Sequence, residues 1–112
     1  MRVWLDDDRD PSDPLIIKGF GSAPDMVWVK TPYDAVSLLK TGEVTWISLD
    51  NDLGPDVTEG YTVAQWIERQ AFFGKVKRLT VRVHSQNSVR RKDMEAAIRN
   101  MDRYWSENED SI

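Results

Sequence analysis

The chain has 112 residues, with 15 basic and 19 acidic side chains and a formal net charge of −4. That length supports one modest hydrophobic core and leaves little for a second domain, so residues 1–112 are expected to form a single domain. With no cysteine and one histidine, the sequence excludes a disulfide framework, a thiolate metal site, a thiol nucleophile and the usual multi-histidine zinc sites. No apolar run approaches the length of a membrane span, and the N-terminus enters a strand and then an acidic loop, unlike a signal peptide. A cytoplasmic protein with no membrane partner is expected. The negative balance disfavours broad nucleic-acid affinity, although residues 75–92 are locally basic, and such a patch can guide an anionic ligand.

Residues 2–5, RVWL, read as a short strand too apolar to alternate cleanly, as in a central parallel strand covered on both faces. Residues 10–25 carry Pro11, Pro14, Gly19, Gly21 and Pro24, which punctuate the segment too often for a long helix. The segment is expected as a loop, with Leu15, Ile16, Ile17 and Phe20 tucked onto the sheet. A second strand follows at 26–29. Thr31 then has the character of an N-cap, with Pro32 at the first helical position and Asp34 three residues after the cap. Ala35, Leu38 and Leu39 give that helix a buried stripe, and Gly42 stops it.

The third strand is expected at 44–49 and a loop at 50–60. A helix then runs from residue 60 or 61 to about 72, with Val63, Trp66, Ile67 and Ala71 at helical spacing and Gly74 beyond its end. In the fourth strand, 79–83, Leu79, Val81 and Val83 alternate with Thr80 and Arg82, the pattern of an edge strand wet on one face. A last helix begins after Asn87 and aligns Met94, Ile98, Met101 and Trp105; the polar tail 106–112 is expected to fray. Trp4, Trp28, Trp46 and Trp66 are expected in the core. Strands alternating with helices imply an α/β fold, an open parallel sheet of four strands in the order 2-1-3-4 with three main helices.

Three strands run into polar ends. Trp46, Ile47 and Leu49 lead to Asp50, Asn51 and Asp52; Val3, Trp4 and Leu5 lead to Asp6, Asp7, Asp8 and Arg9; the fourth strand leads to His84, Ser85, Gln86 and Asn87. In an open parallel sheet the carboxyl ends of neighbouring strands form the ligand-binding edge. Several carboxylates gathered there repel one another, by roughly 4 kcal/mol for two unit charges about 4 Å apart at an effective dielectric near 20. A hard divalent cation such as Mg²⁺, or Mn²⁺, offsets that repulsion through oxygen ligands and keeps waters for a phosphate to displace. Asp6, Asp7 and Asp50 are the candidate ligands, with Asp52 a fourth ligand or a group behind them. The alternative for such acids is a solvated loop near a helix start. His84 is the one side chain with an ordinary pKa near neutrality, a candidate general acid or base or else a strand-end residue bonded to backbone. Ser85 and Asn87 precede a helix, where they either help bind phosphate or cap the helix. Arg9 and Arg90 are candidate phosphate ligands.

The segments WLDDDR at 4–9, WVKTPYDAVSLLKTGEV at 28–44, ISLDNDLG at 47–54, GYTVAQWIE at 60–68 and VHSQN at 83–87, with Met94 beyond them, resemble the cyclic-phosphate processing receiver domains. The resemblance implies a receiver-like, flavodoxin-like sheet and a role on cyclic phosphates, in particular the 2′,3′-cyclic phosphate left on cleaved RNA, as in RNA repair. It matches Asp6 and Asp7 to the acid pair of a two-component receiver and Asp50 to its phospho-accepting aspartate, which makes Asp50 a candidate nucleophile as well as a ligand. The fifth strand and its lysine have no counterpart, and Ser88, Arg90 and Arg91 depart from the residues that follow HS-x-N in relatives. Two functional classes follow: a metal-dependent phosphoesterase, and a module that captures a cyclic nucleotide or an RNA 3′ end without turnover, or that acts through protein contacts.

Overall fold

The computed structural model describes residues 1–110. Four strands, β1 (Arg2–Leu5), β2 (Val27–Val29), β3 (Trp46–Leu49) and β4 (Thr80–Val83), alternate with four helices, α1 (Pro14–Phe20), α2 (Pro32–Leu39), α3 (Tyr61–Phe72) and α4 (Ser88–Asp110). All strand pairs are parallel and the order is β2-β1-β3-β4, the receiver-like arrangement expected from the sequence. β4 is an edge strand, with Thr80 and Arg82 exposed and Val81 buried.

Because side chains alternate along a strand, the register divides the sheet into two unlike faces. On one, the rows Val27, Val3, Ile47, Val81 and Val29, Leu5, Leu49, Val83 run across the four strands. Against them pack Ala35 and Leu39 of α2, Val63 and Ile67 of α3, and Met94, Met101 and Trp105 of α4. On the other face, one row reads Trp28, Trp4, Ser48, Arg82, and the row before it contains Arg2, Trp46 and Thr80. Trp4 is fully buried there, whereas Trp28 and Trp46 are only half-buried. The expectation of four core tryptophans therefore fails for Trp28 and Trp46, which share a mixed face. Trp66 is half-buried against the core, and Trp105 is buried within it.

The segment expected as a loop contains α1. Asp13 caps it by accepting from the Leu15 N–H, Pro14 presets its first turn, and Gly21 ends it in the left-handed region at φ 77°. Its seven residues begin on Pro14, include Gly19 and stop before Gly21, so two of the residues that exclude a long helix bound a short one. Leu15 points outward, 77% exposed, while Ile16, Ile17 and Phe20 are half-buried. α2 follows its sequence signals closely: Thr31 accepts from the Asp34 N–H, with Pro32 in the first turn. α4 extends through Asp110 instead of fraying after 105, and Arg78 holds its last turns through Glu109 and Ser106. Ser111 and Ile112, the end of the expected frayed tail, lie outside the described residues.

Candidate functional site

The parallel ladder continues one residue past each strand: the N–H groups of Asp6, Asp50 and His84 donate to the carbonyls of Val29, Leu5 and Leu49. This extension keeps the alternation intact, so Asp6, Asp50 and His84 emerge on the mixed face. Trp4 and Trp28 fix the acidic loop by donating their indole N–H groups to the carbonyls of Arg9 (3.0 Å) and Asp6 (2.7 Å). On the central strand Ser48 is small, which lets Trp4 reach across and stack on His84, with ring centroids 3.8 Å apart and planes 6° from parallel.

Asp6 is fully buried. Its Oδ1 accepts from the N–H groups of Asp8 and Arg9, both at 2.9 Å, and its Oδ2 from Arg9 Nη1 at 3.2 Å and His84 Nε2 at 3.0 Å. Burial pushes this carboxyl up, but the bonds from His84, the two backbone N–H groups and the Arg9 side chain outweigh it and hold it at about 2. Asp6 is therefore ionised and accepts only, which makes His84 Nε2 the donor; in the neutral ring Nδ1 then accepts from the Ser48 hydroxyl, 2.7 Å away. Both imidazole nitrogens are engaged, and the side chain is 4% exposed. Proton transfer to a ligand would require His84 to release one of these partners.

Asp50 has the opposite balance. Burial, and then the charge of Asp6, push its carboxyl above the ordinary value, against partial relief from the Asn51 N–H, His84 and Arg9. Arg9 Nη1 lies 3.5 Å from Asp50 Oδ2, so one guanidinium bridges both acids while its face rests 4.4 Å from the centre of the Phe20 ring. Carboxylate oxygens of Asp6, Asp7 and Asp50 lie within 4.8 Å of one another. Oxygens so spaced suit a single hard divalent cation. Asp6 already uses about four acceptor positions, the capacity of a carboxylate, so a cation there would take the place of the Arg9 guanidinium.

The remaining expected site residues divide into two groups. Asp52 is exposed and stands outside the three-acid cluster, its Oδ1 accepting from the side-chain amides of Asn51 (3.1 Å) and Asn87 (3.4 Å). Ser85 accepts from the Asn87 N–H, and Asn87 caps α4 by accepting from the Arg90 N–H at 3.1 Å. Arg90 pairs with Glu59 (2.8 Å) and Asp93 (3.0 Å) over the Tyr61 ring.

Several residues that shape this geometry were not among the site residues expected from the sequence: Ser48, Phe20, Asn51, Glu59 and Gly60. Asn51 is fully buried, donating to Asp52 and Glu59 and accepting from the Tyr61 N–H. Where α3 begins, a Cβ on Gly60 would lie 1.8 Å from the Asp50 carbonyl oxygen, so only glycine lets the chain pass there. Ser48, polar within the strand TWISL, is a local sign that this face is not wholly apolar.

An open parallel sheet with a buried acidic centre at its carboxyl edge defines a receiver-like α/β domain. Residues 1–100 match the cyclic-phosphate processing receiver domain, and the chain belongs to that family. No curated protein and no solved structure matches the chain.

Proposed function

We propose that this chain is a metal-dependent phosphoesterase acting on cyclic phosphates, with the 2′,3′-cyclic phosphate of a nucleotide or an RNA 3′ end as substrate. The observation that carries this reading is the convergence of Asp6, Asp7 and Asp50 within 4.8 Å, with Arg9 as the counter-ion of Asp6 and Asp50. Family membership supplies the cyclic phosphate. Mg²⁺ or Mn²⁺ held by the three acids, with Asp52 nearby, would supply charge neutralisation at the phosphoryl oxygens.

The chain's own groups do the rest. Release of Arg9 from Asp6 and Asp50 frees a planar guanidinium that takes two phosphate oxygens. The N-terminus of α4, capped by Asn87 beyond Ser85, adds favourable potential for the anion. His84 orients Asp6 through Nε2 and is itself oriented by Ser48. A water oxygen bonds to phosphorus and gives up one proton, one ribose P–O bond breaks, and the departing ribose oxygen takes up one proton, leaving a phosphomonoester. Arg90 enters this scheme only by exchanging Glu59 for phosphate.

The engagement of both His84 nitrogens favours a second reading, capture of the cyclic phosphate without turnover. Incubation with adenosine 2′,3′-cyclic phosphate, with and without Mg²⁺ or Mn²⁺, separates the two. The enzyme reading expects metal-dependent monophosphate formation that Asp50→Asn abolishes. Saturable binding with no product would establish capture, and neither binding nor product would leave action through protein contacts.

A further inference from the structure

The basic segment 75–92 has no part in the acidic centre, and the fold treats its members unequally. Arg78 is neutralised by Glu109 and Asp102, Arg90 by Glu59 and Asp93, and Arg91 by Glu95. Lys75, Lys77, Arg82 and Lys92 make no ion pair among the described residues, and the Lys75 ammonium lies 5.8 Å from the centre of the Phe73 ring. Lys75 and Lys77 meet Lys40, which also has no ion pair among the described residues, in a cleft of about 660 Å³ at the amino edge of the sheet, opposite the acids. Among the described residues no carboxylate lines this cleft, while Glu109 lines an adjoining one that Lys75 and Lys77 also border.

We propose that this cleft is a second binding site, for a nucleotide: phosphates on the lysines, base against Trp66. The volume lies in the range of small-ligand sites. Half-buried Trp66 lines it together with Leu39, Val44 and Leu79, and Thr41 and Gln70 add polar groups. The main physical objection is that α2 and α3 end here, and helix C-termini attract cations and repel anions. Each terminus carries about half a negative charge, so the two together amount to about one against three lysines. The balance remains positive, and a concave wall concentrates the potential. Three like charges with no acid among them gain by binding phosphate. The cleft would accept a free nucleoside polyphosphate or a nucleotide within an RNA strand, which share this chemistry.

The three lysines are exposed, so their substitution should leave folding intact. Isothermal titration with ATP, and separately with a five-nucleotide single-stranded RNA bearing a 3′ hydroxyl, should give saturable binding to the wild type. Lys40→Ala/Lys77→Ala should weaken it at least tenfold, with a salt slope lower by about one to two for the RNA. Asp50→Asn should leave it unchanged, which keeps this test separate from that of the acidic centre. Tighter RNA than ATP binding would assign the strand as the natural source, and the reverse the free nucleotide. No saturable binding of either probe, or equal binding by wild type and the double lysine variant, would overturn the proposal.

Discussion

Along β3, Ile47 and Leu49 turn into a face built of valines, leucines and isoleucine, whereas Trp46 and Ser48, one residue out of phase, turn into a face of tryptophans and polar groups. The first face is closed by α2, α3 and α4. The second leads to the candidate site, because its alternation continues past the strand ends to Asp6, Asp50 and His84. Burial serves different ends on the two sides. On the apolar face it stabilises the fold by about 1.5–3 kcal/mol for each large side chain. On the mixed face it places ionised Asp6 and crowded Asp50 where each must be held by specific partners.

The comparison is broken most directly on the apolar side. Ile47→Ala should cost about 2–5 kcal/mol by lost transfer and cavity terms, measured by urea denaturation, while the Mg²⁺ affinity of the folded fraction stays unchanged. A large loss of affinity would show that the faces are not independent. Next in size is metal linkage: Mg²⁺ at about 100 times its Kd should stabilise wild type by roughly 2.7 kcal/mol, and a thermal melt should show it. Asp50→Asn should raise the stability of the metal-free protein and reduce the metal response; a full metal response in that variant would remove Asp50 from the ligand set.

The two acids should also titrate with opposite sign. Asp6, held at about 2 against an ordinary 3.8, contributes stability that is present above pH 3.8 and lost as pH falls through about 2, in all roughly 2 kcal/mol. Asp50, raised by burial and by Asp6, binds its proton more tightly in the folded state, so its contribution falls as pH rises from 3.8 through its folded value. Metal-free denaturation across the acid range should lose the first trend in Asp6→Asn and the second in Asp50→Asn. Ser48→Ala should have the smallest effect, about 1 kcal/mol for an imidazole nitrogen left without its donor. Its sharper readout is the nitrogen NMR shift of His84 Nδ1, which should move; an unchanged shift would contradict the assigned tautomer.

The strand order and α2, α3 and α4 were legible because periodicity and caps act locally: Thr31, Pro32 and Gly42 bound α2 whatever packs on it. The mixed face was not, since Trp4, Trp28 and Trp46 look like core residues until the register shows that the apolar helices close the other side. α1 was hidden by prolines and glycines that could equally mark a loop. At the site, the terminal acids were visible as strand ends, and their approach follows from the parallel order. The engagement of His84 was not, because it depends on Ser48 from β3 and Asp6 from beyond β1, at sequence separations of 36 and 78 residues. Arg90 illustrates the reverse: its partner Glu59 lies in the loop before α3, where no local pattern pairs it with the start of α4.

The central claim is that the acids closing the mixed face hold a hard cation in place of Arg9. A crystal grown with Mn²⁺ and adenosine 2′,3′-cyclic phosphate tests it by anomalous scattering. One strong peak is expected within coordination distance of oxygens of Asp6, Asp7 and Asp50, with the Arg9 guanidinium turned from the acids to the phosphate. A map with no peak among these acids, and Arg9 still bridging Asp6 and Asp50, would contradict it.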